Sequence, residues 1–265
     1  MKQLSRITSM LALLASAACR PETPAAEQAV PPAPVPAAPA PKPAAATTAG
    51  PADTLHLPGG AVVALQPTNA AVFNQLPASS LPDLPNDPTA EHLATAEGRV
   101  RRAGLDLLLR PVQGVEVKLT STPEAEFTLQ NGAAVRYAYW GSLPAAHQWV
   151  VRAWYWESSG TVLVDQRTGR RVELPGDPVA APDGRHVLLT SPGLSGGDQA
   201  NTVALVQIDP AGPRLLWQRE PTTWEPAEAR WASPTRAVLQ LRHTDAEGNI
   251  PDDAPVSYAE LNLPR

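Results

Sequence analysis

In the second half of the chain, short apolar runs alternate with turn-forming residues at close and fairly even intervals. Residues 134–140, 148–157, 161–165, 187–190, 202–209, 214–219, 237–242 and 256–263 are rich in Val, Leu, Ala, Trp and Tyr, with Gly, Pro, Asp or Asn standing between them. Runs of this length and punctuation predict strands. Two more, 105–109 and 115–119, flank the turn material Gln113-Gly114. Such even spacing predicts antiparallel sheets rather than alternating βαβ units. Between residues 53 and 104 the pattern changes: 61–65 predicts a strand, 81–88 a loop, and 87–102 a helix. In that helix Pro88 and Glu91 would sit early and Arg99, Arg101 and Arg102 late, as the helix dipole favours.

The strands carry an imperfect repeat. Thr161-Val162-Leu163-Val164-Asp165 leads through Gln166-Arg167-Thr168-Gly169 into a second run ending at Pro175. Thr202 to Asp209 leads likewise through Pro210-Ala211-Gly212 into a run ending at Pro221. Each reads as strand, Asp/Gly turn, strand, proline. A preface also recurs: Ala181-Pro182-Asp183-Gly184 before His186-Val187-Leu188, and Ser233-Pro234-Thr235 before Ala237-Val238-Leu239. Ser142-Leu143-Pro144 is a weaker third copy. Short strands repeating at roughly 40–50 residues are the pattern of propeller blades. These residues resemble the Ser-Pro-Asp-Gly type of bacterial β-propeller repeat, over about half the chain. The resemblance implies a mainly β fold of antiparallel sheets in an incomplete or small propeller-like array, since three or four blades are too few for an ordinary closed ring. A short mixed α/β section precedes it.

The N-terminus has another character. Met1-Lys2-Gln3-Leu4-Ser5-Arg6 is basic, 7–15 is apolar, and Ser16-Ala17-Ala18 precedes Cys19. A basic lead, a short apolar core and a small-residue exit make up a secretory signal. The apolar run is shorter than the ~20 residues a membrane-spanning helix needs. Ser16-Ala17-Ala18-Cys19 resembles the lipobox of bacterial lipoproteins, although Ser16 stands where that motif has a larger apolar residue. The resemblance implies a lipid on Cys19, the only cysteine of the chain. Without acylation, Ala15-Ser16-Ala17 would serve as an ordinary cleavage site and release a soluble protein. Residues 20–52 are dominated by Pro and Ala, as in Val30-Pro31-Pro32-Ala33-Pro34-Val35-Pro36. Closely spaced prolines exclude helix and ladder and favour a disordered, semi-rigid spacer. At ~3.1 Å per residue it would reach up to about 100 Å. The expected organisation is therefore signal 1–19, linker 20–52 and a β-rich domain 53–265, repeat-like from about 134.

Composition narrows the partners. A net charge of −5 and a pI near 5.6, with no dense Lys/Arg stripe, argue against nucleic acid. A body without cysteine has no disulfide to lean on, so the fold rests on its core.

No convincing catalytic set emerges. Gly193-Leu194-Ser195-Gly196-Gly197 fits G-x-S-x-G literally, but a nucleophile elbow needs a helix after the serine, and Thr202 opens a strand instead. His56, His92, His147, His186 and His243 are scattered, with no metal-binding spacing. No cofactor and no metal are expected. The weak calcium candidate is the loop with Asp245, Glu247, Asn249, Asp252 and Asp253, which gathers oxygens without the spacing of an EF-hand. All seven tryptophans lie between Trp140 and Trp231, where core packing is their ordinary role. The sharper alternative is a carbohydrate or peptide platform of Trp140, Trp154 and Trp156, the last two sharing one face of the expected strand while Tyr155 points to the other. The expected function is a non-catalytic envelope protein, held to the membrane by its N-terminal lipid, that binds a protein or glycan. The alternative is an envelope hydrolase whose active site the sequence does not reveal.

Overall fold

The structure is a computed structural model that describes residues 54–56, 60, 62–83, 87, 89–196 and 198–264. The signal-like segment, Cys19 and the Pro/Ala-rich stretch lie outside the described residues. Strands β1 (Thr54–His56) and β2 (Val62–Ala64) pair as a small antiparallel ribbon. Strand β3 (Gln66–Thr68) and helix α1 (Ala70–Asn74) follow. The Asn69 side chain caps the helix, its Oδ1 accepting from the Val72 N–H at 3.1 Å.

Four antiparallel sheets then form in chain order. Sheet I holds β4 (Val100–Ala103), β5 (Asp106–Leu109) and β6 (Val117–Thr120). Sheet II is the meander β7 (Arg136–Leu143), β8 (Gln148–Trp154), β9 (Ser159–Asp165) and β10 (Arg171–Pro175). Sheet III repeats it with β11 (Asp177–Ala180), β12 (His186–Ser191), β13 (Thr202–Asp209) and β14 (Gly212–Arg219). Sheet IV has β15 (Trp224–Ser233), β16 (Arg236–His243) and β17 (Val256–Asn262), and takes its fourth strand, β3, from the other end of the chain.

Period-two alternation explains how the sheets stack. On β8 and β9, Trp149, Val151, Val162 and Val164 pack with Leu107, Leu109 and Leu119 of sheet I. The intervening Val150 and Leu163 pack with Val187, Leu189, Ala204 and Val206 of sheet III. On the other face of sheet III, Leu188, Val203 and Leu205 meet Trp231, Leu239 and Leu261 of sheet IV. The central strands of the inner sheets are therefore buried on both faces, which is why they read as mostly apolar runs, while the edge strands β10 and β14 keep exposed residues. The architecture is a propeller-like stack of four sheets, and they do not close into a barrel.

The outermost faces end the stack in different ways. On sheet I, Leu108 is covered between Arg101 and Lys118, which pair with Glu116 and Asp106 at 3.4 Å each. On sheet IV, Phe73 of α1 packs on Tyr258 with ring centres 5.3 Å apart, and Arg230 lies over the Phe73 ring at 4.4 Å.

Three turns lie in equivalent places. Pro144, Pro182 and Pro234 each stand in the connection between the first and second strands of their sheets. Neighbouring turns touch: Gly184 has φ +69°, and a Cβ there would fall 1.7 Å from the Ala145 carbonyl oxygen.

The helix expected over 87–102 is absent. A 3₁₀ turn, Leu93–Ala96, and strand β4 occupy that stretch. Its arginines serve tertiary contacts instead of a dipole. Arg102 grips Glu91 through Nε at 3.1 Å and a terminal nitrogen at 2.6 Å, and the same carboxylate accepts the Tyr139 N–H at 2.9 Å. The ten-residue β15 was not expected as a strand, because Pro226, Glu225 and Glu228 break its apolar pattern. A register shift between Pro226 and Glu228 accommodates the proline.

Candidate binding surface

The tryptophans separate by exposure. Trp140, Trp149, Trp217, Trp224 and Trp231 are buried, Trp154 is half-buried, and Trp156 is 50% exposed. Strand β8 ends at Trp154, so Trp156 sits in the hairpin turn beyond it and the two indoles are not on one strand face.

Trp140 and Trp154 share a side chain. The Arg152 guanidinium lies over both rings, 5.5 Å and 5.2 Å from their centres. It is held there by an ion pair with Asp177 of sheet III and a hydrogen bond to the Ser159 hydroxyl at 2.7 Å. Trp140 also donates its indole N–H to the Pro82 carbonyl at 2.8 Å. One face of each of these two rings is thus occupied by a cation from within the chain. The cavity between them, lined also by Asp87, His92 and Ala138, measures about 10 Å³. A sugar ring or a peptide side chain does not fit such a space.

Trp156 has other neighbours. Its ring meets Phe127 at 5.9 Å, and Arg136 lies 4.0 Å over the far partner, Phe127. Arg136 is fixed by an ion pair with Glu124 at 2.5 Å. The next residue, Glu157, lies beside the Asp198 carboxyl, and sharing a proton with that neighbouring carboxyl, together with its charge, raises the Glu157 pKa. This hairpin tip is braced by Gln199, whose side-chain oxygen accepts the Ser159 N–H at 2.7 Å while its amide donates to Ser191 at 2.6 Å. The result is a half-exposed indole on a fixed aromatic support, with carboxyl groups beside it. Phe127 and Asp198 are distant from Trp156 in sequence, and no local spacing links them.

Ser195 is exposed, and the Leu194 and Ser195 N–H groups both donate to one Glu225 oxygen, at 3.1 and 3.3 Å. Glu225 is fully buried and its other oxygen pairs with Arg242 at 2.8 Å. An amide pair that an oxyanion would need is therefore engaged by an internal carboxylate. Gly197 lies outside the described residues. In the acidic loop, Asp245 Oδ1 accepts the Glu247 and Asn249 N–H groups at 3.0 and 2.8 Å, an Asx-type turn. Among the described residues no three His, Cys, Asp or Glu side chains come together as a metal site, those of this loop included.

No protein-family model matches the chain, and neither a curated protein nor a solved structure matches it significantly.

Proposed function

We propose that the chain is an exported, lipid-anchored protein of the cell envelope whose β-stack is a non-catalytic module for binding a protein or glycan. The observation that carries the binding role is Trp156, a large aromatic that stays half-exposed while five of its six fellow tryptophans are buried. An indole face stacks well on sugar rings and apolar side chains, and the adjoining carboxyl groups can accept hydrogen bonds from a ligand. The signal-like N-terminus, Cys19 and the Pro/Ala stretch support the envelope address, and Cys19 is the proposed lipid site.

Purified cell-wall glycan fragments and individual envelope proteins, titrated against the protein by isothermal calorimetry, test the binding role. Trp156→Ser should weaken binding at least about tenfold, as loss of an interface aromatic does. It should move the unfolding midpoint by less than about 2 °C. Undiminished affinity in Trp156→Ser would refute the assignment, and turnover of a glycan would favour the hydrolase.

A further inference from the structure

Two buried nitrogens face the same difficulty beside β7 and β8. Arg152 Nε and His92 Nε2 find no hydrogen-bond partner among the described residues. Arg152 is only 9% exposed, and its Nε–H can only donate. Such a donor is costly to bury unpaired. Both residues line the cavity of about 10 Å³ under Trp140 and Trp154, which is about the space that one water requires.

We infer that this cavity is a binding site for a single water molecule that joins Arg152 Nε to His92 Nε2. The ligand must accept at Arg152, which excludes a cation. A halide would accept too, but Asp87 lines the same space and is held ionised by the Thr89 hydroxyl and amide, at 2.7 and 2.8 Å. Asp177 already balances the guanidinium. A neutral molecule that can accept from Arg152 and either accept from or donate to the imidazole meets both demands. The water completes a seam, because His92 also donates its backbone N–H to the Tyr139 carbonyl at 3.0 Å and Glu91 accepts from Tyr139. It thereby fastens the segment preceding sheet I to the Arg152 that bridges sheets II and III.

A crystal structure of the whole chain at high resolution, with a second crystal soaked in bromide, tests the site. A well-ordered water within about 3.2 Å of both nitrogens is expected, with no anomalous bromide signal there. Bromide in the cavity, or a protein group from 84–88 filling it, would overturn the inference. In solution, the Arg152 Nε–H should show cross-relaxation to a long-lived water and lose it in His92→Phe, whose larger ring fills the space. The same peak persisting in His92→Phe, or its absence from the wild type, would equally overturn it.

Discussion

Asp165 is fully buried at the end of β9, yet its carboxylate accepts hydrogen bonds from five groups. These are the Arg167 and Thr168 N–H groups, the Thr168 hydroxyl, the Arg167 guanidinium and the Gln148 amide. Burial alone would raise its pKa, but these donors outweigh burial and hold it below the ordinary 3.8. Its stabilisation is therefore full above pH 3.8 and is lost as pH falls through the depressed value. Asp165→Asn keeps the shape but loses the charge and one acceptor, so urea unfolding at pH 7 should show a loss of about 2–3 kcal/mol. Among the described residues, the Asp209 side chain at the equivalent turn of sheet III accepts the Ala211 N–H alone, and Asp209→Asn should cost under about 1 kcal/mol. Two histidines act in a higher pH window. Burial lowers the pKa of both His186, stacked on Trp231, and His243 from the ordinary 6.5. Below that value the unfolded chain binds protons that the folded chain resists, so stability declines as pH drops from 6.5 toward the folded values. The urea midpoint should fall between pH 7.5 and 5, and His186→Leu with His243→Leu should flatten that slope.

At the scale of elements, the turns do as much as the strands. Gly184 sits where the turn of sheet III rests on that of sheet II. Gly184→Ala would force a Cβ against the Ala145 carbonyl at positive φ, and should destabilise by about 2–4 kcal/mol in denaturant titration. The strands 202–209 and 148–154 were legible because both their faces are largely buried and apolar or small residues fill most of their positions, with Gln148, Arg152, Gln207 and Asp209 the exceptions. The turn prolines were legible for the same local reason. Strand β4 was not, because Arg101 and Arg102 suit a helix end as well as a strand, and only the distant Glu91 and Glu116 decide between them. The pairing of β3 with β17 links residues almost 200 apart, and no period in the sequence carries that information. In the binding surface, Trp156 could be named from sequence. Its separation from Trp154 depended on where β8 stops, and the filling of the Trp140–Trp154 pair depended on Arg152 meeting Asp177 across two sheets. Helix α1 is the element most open to direct challenge. Phe73 is 2% exposed and closes the outer face of sheet IV, so Phe73→Ala should cost about 3–5 kcal/mol by the same titration.

For the molecule as a whole, a stack of sheets needs its two end faces made compatible with water. Here the charged lattice on sheet I and helix α1 on sheet IV do so, which lets four sheets stand without closing a ring. In the proposed account this stack presents Trp156, while Cys19 and the Pro/Ala stretch hold it at a membrane. The anchor is the premise on which that role stands, and fractionation of cells producing the whole chain or its Cys19→Ala variant tests it most directly. The account predicts that the wild type sediments with membranes and is released by detergent but not by salt, while Cys19→Ala appears in the soluble fraction. A Cys19→Ala protein that still sediments with membranes would contradict it.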